Sequence, residues 1–140
     1  VNKLLKVLCF KSGHNLYGIE TRYVKEINRH PEITVIPLAP GVMAGIMNLR
    51  GQVVSLLDFA ALLGVPATGP KKHSIVLKKE PGDLDVMALL VEQAADVLNV
   101  DEALCEPPTP SLEHEYGKTI KLIAKLEQQL LMIVDKEKLF

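Results

Sequence analysis

The sequence predicts an all-β fold: two small β-barrels, related by an internal duplication, packed on one another about a pseudo-two-fold axis. Three observations carry that prediction. Short runs rich in Val, Ile, Leu and Tyr are separated by turn residues along the chain. The chain also aligns with itself in order. Residues 46–63 lie over 123–140 at a constant offset of 77, and residues 16–27 lie over 86–97 at an offset of 70. Finally, the runs VVSLL (53–57) and LLMIV (130–134) do not alternate apolar with polar. Successive strand side chains point to opposite faces, so both faces of such a run must leave water. One face fills a barrel and the other needs a second layer, which the other half of the chain supplies. Each Leu or Ile buried there is worth roughly 1.5–3 kcal/mol, enough in sum to fuse the halves.

The elements follow in order. LLKVLCF (4–10), NLYGI (15–19), YVKEI (23–27), ITVI (33–36) and AGIMNL (44–49) read as strands. Ser12-Gly13-His14-Asn15 reads as a hairpin turn, and Glu80-Pro81-Gly82-Asp83 is the corresponding turn of the second half. Arg50-Gly51 reads as a two-residue hairpin turn, because glycine tolerates the backbone it requires. Asp58 is placed to cap a short helix over FAALL, with Gly64 as its stop, and Asp135 opens a weaker copy. VEQAADVL (91–98) is expected to be extended, on the strength of the repeat. Residues 37–41, 66–72 and 106–118 are expected to be loops, the last one long.

Composition bounds the function. The chain has 140 residues, 48% hydrophobic and 24% charged, with a net charge of −1. That suits one compact unit, and the balanced charge argues against a nucleic-acid partner or an anionic membrane surface. No apolar run approaches the ~20 residues of a membrane helix, so no membrane insertion is expected. Lysines within the first ten residues, inside a strand pattern, argue against a leader peptide. Whether the chain, which opens on Val1, stands alone or was excised from a longer protein stays open. Cys9 and Cys105 have no metal-type spacing and suit a reducing cytosol, although a disulfide between them stays open.

Enzyme signatures are scarce. None of the patterns GxSxG, GxxxxGK[ST] or GxGxxG occurs. HEYGK, from His114, begins like a zinc-binding HExxH but carries Lys118 in place of the second histidine. His14, His30, His73 and His114 are scattered near turns. Cys9 reads as inert core, and Asp58 and Asp135 read as helix caps rather than catalytic carboxylates. Three Tyr, three Phe and no Trp leave few stacking platforms for single-stranded nucleic acid. Expected, then, is a protein that is not an enzyme and has no cofactor or metal. A small hydrolase or metal enzyme using His114, Glu115 and Cys105 is the alternative.

VKEI (24–27), PLAPGVMAGIMNLRGQVVSLLDF (37–59) and AKLEQQLLMIVDKEKL (124–139) resemble the CheW domain of bacterial chemotaxis over nearly the whole chain. The most specific part is Gly45, Asn48 to Gly51, Val53, Val54 and Asp58. The resemblance implies a single domain, 1–140, of two SH3-like five-stranded subdomains. Roughly these are 16–64 and 72–140, with exchange of the terminal strands left open. It implies a cytoplasmic adaptor, recruited to membrane-associated receptor arrays, that couples chemoreceptors to a CheA-type histidine kinase. Its partners would be the kinase regulatory domain and the cytoplasmic receptor tip, which lies in an apolar groove between the subdomains. Carried over by position, Val24, Glu26, Ile27, Asn48, Arg50, Ile75, Ala88 and Val97 would form the receptor-binding groove. Glu26 and Arg50 would be an ion pair between neighbouring strands, close to that receptor-facing surface. Val76, Leu77, Leu89, Leu90 and Val91 would face the kinase. The chain departs from the family pattern at Ser55, commonly proline, at ALLVE (88–92), commonly GLLVD, and at Leu122, commonly glycine.

Overall fold

The computed structural model describes residues 3–37, 41–66 and 69–139. Residues 38–40 and 67–68, within two of the expected loops, lie outside the described residues. Among the described residues ten strands form two five-stranded sheets. In chain order they are β1 (Leu4–Ser12), β2 (Asn15–Glu20), β3 (Val24–Asn28), β4 (Met43–Leu49) and β5 (Gln52–Asp58). Then come β6 (His73–Leu77), β7 (Met87–Val91), β8 (Gln93–Asp101), β9 (Ile120–Lys125) and β10 (Leu130–Val134). Helix α1 is Phe59–Leu63 and α2 is Pro110–Tyr116. No helix among the described residues is long and apolar enough to cross a membrane.

The first sheet runs β8-β1-β2-β10-β9 and the second β3-β6-β7-β5-β4. These orders superpose when β1–β5 are exchanged with β6–β10, so the duplication is present in the topology. Its register confirms the sequence offsets. Ile133 pairs with Gly18 across the parallel β10–β2 contact, and Leu56 pairs with Ala88 across the parallel β5–β7 contact. Those pairs differ by 77 and 70 residues. Leu8 opposite Val97 likewise corresponds to Ile75 opposite Ile27.

The sheets do not divide the chain into 16–64 and 72–140. Each takes its first two strands from one half and its last three from the other. The middle of the chain closes the second sheet and the two ends close the first. Exchange of this kind lets the β2–β3 and β7–β8 links stay short while each half crosses the seam.

Three apolar clusters follow from this. Val7, Cys9, Leu131 and Ile133 fill the first barrel. Met47, Val54, Leu56, Val76 and Ala88 fill the second. The seam between the sheets holds Leu8, Phe10, Tyr17, Phe59, Ile75, Leu89 and Val134. LLMIV accordingly splits as expected, with Leu131 and Ile133 in the barrel and Met132 and Val134 at the seam. Two residues depart from that expectation. Val53 is 61% exposed and its repeat counterpart Leu130 is 55% exposed, and both sit within the first two residues of their strands, beside the turn.

Local readings hold at the turns and caps. Asp58 accepts from the Ala61 amide at 3.3 Å, and Asp135 accepts from the Glu137 amide at 3.1 Å. Residues 93–98 are extended within β8. Two readings fail. ITVI contributes only a bridge from Thr34 to Ile46 rather than a strand. The expected long loop contains α2, started by Thr109, whose hydroxyl accepts from the Leu112 amide at 3.2 Å, with Pro110 just inside. Both cysteines are free thiols.

Candidate functional site

Arg50 and Gly51 make the turn between β4 and β5, with Leu49 paired to Gln52. Their φ values, +50° and +85°, are those of a type I′ hairpin. Arginine is uncommon in that conformation, since its Cβ crowds the backbone. Two sets of contacts hold it. Asn48 Oδ1 accepts from the Gly51 amide at 2.8 Å. Arg50 Nη1 donates to Glu26 Oε1 at 3.1 Å, and Nη2 donates to Oε2, so the pairing is a two-pronged fork.

Glu26 lies on β3, at one edge of the second sheet, while Arg50 leaves β4 at the other edge. The fork therefore spans the two edges and, with the Thr34–Ile46 bridge, helps close the barrel. The hydrogen bond from Arg50 holds the Glu26 carboxyl below its usual range, against partial desolvation and with help from the Arg50 charge. The arginine side chain is still 67% exposed. Its free donors are thus fixed in place and open to a partner.

Strict alternation would send Val24 and Ile27 to opposite faces. A bulge between Val24 and Glu26 adds one residue on β3. Both side chains consequently end on the seam face, half-buried against its core. Glu26, Asn48 and Arg50 form one exposed group beside them. Val97, half-exposed, occupies the position equivalent to Ile27 on the other sheet.

Seven of the residues carried over by resemblance are buried and present no side chain to a partner. Ile75, Ala88, Val76 and Leu89 are 0% exposed. Leu77, Leu90 and Val91 are buried as well. The reason is topological: β6 and β7 are interior strands, with one face toward the barrel and the other toward the seam. Any effect these residues have on a partner passes through packing.

The hydrolase alternative has no support in the geometry. The Cys105 thiol donates to the Asp101 carbonyl at 3.5 Å. Burial, then Glu102 and Asp101, push its pKa up and away from a thiolate nucleophile. His114 and Glu115 stand exposed on α2. No group of three or more His, Cys, Asp or Glu placed to hold a metal occurs among the described residues.

Sequence reasoning missed two charge clusters. Glu20 is 6% exposed, and its carboxylate accepts from Lys121 Nζ and, at 2.9 Å, from Arg22 Nε. Lys136, also 6% exposed, lies 3.6 Å from Glu80 and 4.0 Å from Asp83, and so ties the segment after β10 to the β6–β7 connection across the seam. The Glu20–Lys121 contact and those of Lys136 join residues far apart in the chain and so leave no local sequence signature.

Residues 6–140 match the family model described as CheW-like domain. A probable chemotaxis protein CheW of Rhizobium etli is 28% identical over 137 residues, spanning 96% of this chain and 86% of that protein. The chemotaxis protein CheW of Bacillus subtilis is 27% identical over 93% of this chain and 83% of its own length. Among solved structures, the scaffolding protein TtCheW from Thermoanaerobacter tengcongensis superposes with a TM-score of 0.83 at 28% identity, covering 99% of this chain and 93% of that one.

Proposed function

This chain belongs to the family of CheW-like domains, and from that premise we propose that it is a chemotaxis signal-transduction adaptor coupling chemoreceptors to a CheA-type histidine kinase. The family match over residues 6–140 carries the reading. It works by holding partners rather than by catalysis. The receptor's cytoplasmic tip docks beside the Arg50–Glu26 fork, with Val24 and Ile27 offering the apolar flank. The kinase's regulatory domain packs on the outer surfaces of the barrels, and the adaptor is recruited from the cytoplasm to receptor arrays. The fork supports this placement. An exposed arginine with two donors already fixed loses little further freedom when a partner accepts from the rest.

Replacement Arg50→Ala tests it. The melting temperature should stay near that of the parent, because the pair is solvent-exposed. Affinity for a receptor-tip peptide or for the kinase regulatory domain, measured by titration calorimetry, should fall more than about tenfold. Unchanged affinity for both partners would remove the fork from the docking site.

A further inference from the structure

β8 is an edge strand of the first sheet, so one row of its backbone groups has no neighbouring strand. At Ala94, which is 3% exposed, side chains of the second sheet meet that row. The Ala94 amide donates to His73 Nδ1 at 2.8 Å, and the Ala94 carbonyl accepts from Arg29 Nη1 at 3.4 Å. His73 opens β6, and Arg29 directly follows β3. One buried residue of the first sheet is thus gripped from two strands of the second. The grip has a particular place. Arg29 lies two residues beyond Ile27, and Ala94 three residues before Val97. Ile27 and Val97 hold equivalent positions on the two edge strands β3 and β8.

A neutral imidazole has one N–H and one nitrogen free to accept. Since Nδ1 accepts from Ala94, the proton sits on Nε2. A second proton would set an N–H against an N–H, and the bond would be lost. The surroundings resist that proton. Burial first, and then the charges of Arg29, His30 and Lys72, hold the His73 pKa below its ordinary 6.5. Lys11 lines the same cavity. Glu92, which also lines it, is already engaged by the Gly13 amide. Asp96 of β8 acts instead on Cys9 of the first barrel. The unfolded chain takes up the proton near 6.5 and the folded chain only lower. The bond is therefore whole at neutral pH, and its stability is lost as pH falls below about 6.5.

On the docking reading above, we propose that His73 and Arg29 are positioning residues: their grip on Ala94 fixes the spacing of β3 and β8, and protonation of His73 releases it. The receptor tip meets Ile27 and Val97 at the set distance only while the grip holds, so docking weakens in mild acid. The fork does not change over that range, since the Glu26 carboxyl is held below its usual 4.5 and stays ionised.

Calorimetric titration of a receptor-tip peptide into the full chain, at about pH 7.5 and about pH 5.5, provides the test. Binding by the parent should weaken about tenfold at the lower pH. Asparagine can set its side-chain oxygen where Nδ1 stands and does not titrate. His73→Asn should therefore keep the parent's higher affinity at both pH values. His73→Leu, which has no acceptor, should bind about tenfold more weakly at both. Arg29→Met should weaken binding at the higher pH and move the His73 midpoint, followed by imidazole NMR, upward. Identical pH profiles for the parent and His73→Asn would overturn the proposal, as would undiminished binding by His73→Leu. A parent that binds no tip peptide at the higher pH would sink the docking reading itself. The grip is then judged by NMR alone, and an Ala94 amide resonance that does not follow the His73 titration would overturn it.

Discussion

Gly18 lies on β2 where a side chain has almost no room. An added Cβ would overlap Val7 Cγ1 and come within 3.2 Å of Leu131 Cδ1. Both neighbours belong to the core of the first barrel. Overpacking a filled core costs about 1–3 kcal/mol. Replacing glycine also restricts the unfolded chain, which returns about 0.4–1 kcal/mol. Gly18→Ala should therefore lose about 1–2 kcal/mol, or roughly 3–6 °C in Tm for a domain this size. The second sheet shows how the strain is relieved. Ala88 is the repeat counterpart of Gly18, and the counterparts of Val7 and Leu131 are Ser74 and Val54, both smaller. Volume has moved from one partner to the other. Val7→Ala alone should cost about 2–3 kcal/mol, from two lost methyl groups and the space they leave. The double variant should then cost no more than Val7→Ala, a coupling of at least about 1 kcal/mol. Urea denaturation followed by circular dichroism measures all four corners of the cycle. Strict additivity, or a Gly18→Ala protein as stable as the parent, would refute the packing argument.

Other outcomes follow from the charged groups. Desolvation pulls the Glu20 pKa upward, but the hydrogen bonds and charges of Lys121 and Arg22 outweigh it and hold it below its ordinary 4.5. A carboxyl lowered in the folded state adds stability above the unfolded pKa, and that stability is lost as pH falls through the folded one. The stability gap between the parent and Glu20→Gln should thus be constant near neutral pH and shrink below about pH 4.5. Urea midpoints from pH 7 to 3 would reveal it, and a gap independent of pH would count against the cluster. Asp58→Ala removes the cap of α1 and the partner of Lys71. It should cost about 1–2 kcal/mol while leaving partner affinity unchanged. Loss of binding without loss of stability would assign Asp58 a docking role instead.

Much of the fold was legible because its determinants are local. A two-residue Arg-Gly turn, an aspartate before an apolar run and a repeat in constant register each act within a few residues. The strand exchange could only be left open, for a definite reason. The repeat alignment is the same whichever copy of β1–β2 joins which copy of β3–β5, so only long-range pairing decides it. The bulge at β3 was invisible for a similar reason: one extra residue leaves no mark on composition, yet it turns Val24 and Ile27 to one face. For the site, the Arg50–Glu26 pair could be anticipated from resemblance, and the geometry supplies it. The burial of Ile75, Ala88 and the β6–β7 residues could not be anticipated, because a run apolar on both faces does not say which face a partner could reach. In α2, a Thr-Pro start was hidden by neighbouring prolines that read as loop.

The duplication also bears on where docking takes place. A two-fold repeat offers two equivalent positions for any site, one on each sheet. The counterparts of Glu26 and Arg50 at the repeat offsets are Asp96 and Glu127. Both are acids, so no fork can form on the first sheet. There the equivalent bridge, Glu106 to Ile123, is kept, and in place of the fork stands a 2.8 Å pair between Lys125 and Glu106 whose side chains are both more than half exposed. The fastening role has thus been kept in both copies, while the rigid, forked arginine has been kept in one. A device needed only to close a barrel would have no reason to differ between two barrels of the same register. That asymmetry favours a docking role for the second sheet's fork, and it predicts that the two ends of the molecule meet different partners although they share one backbone plan.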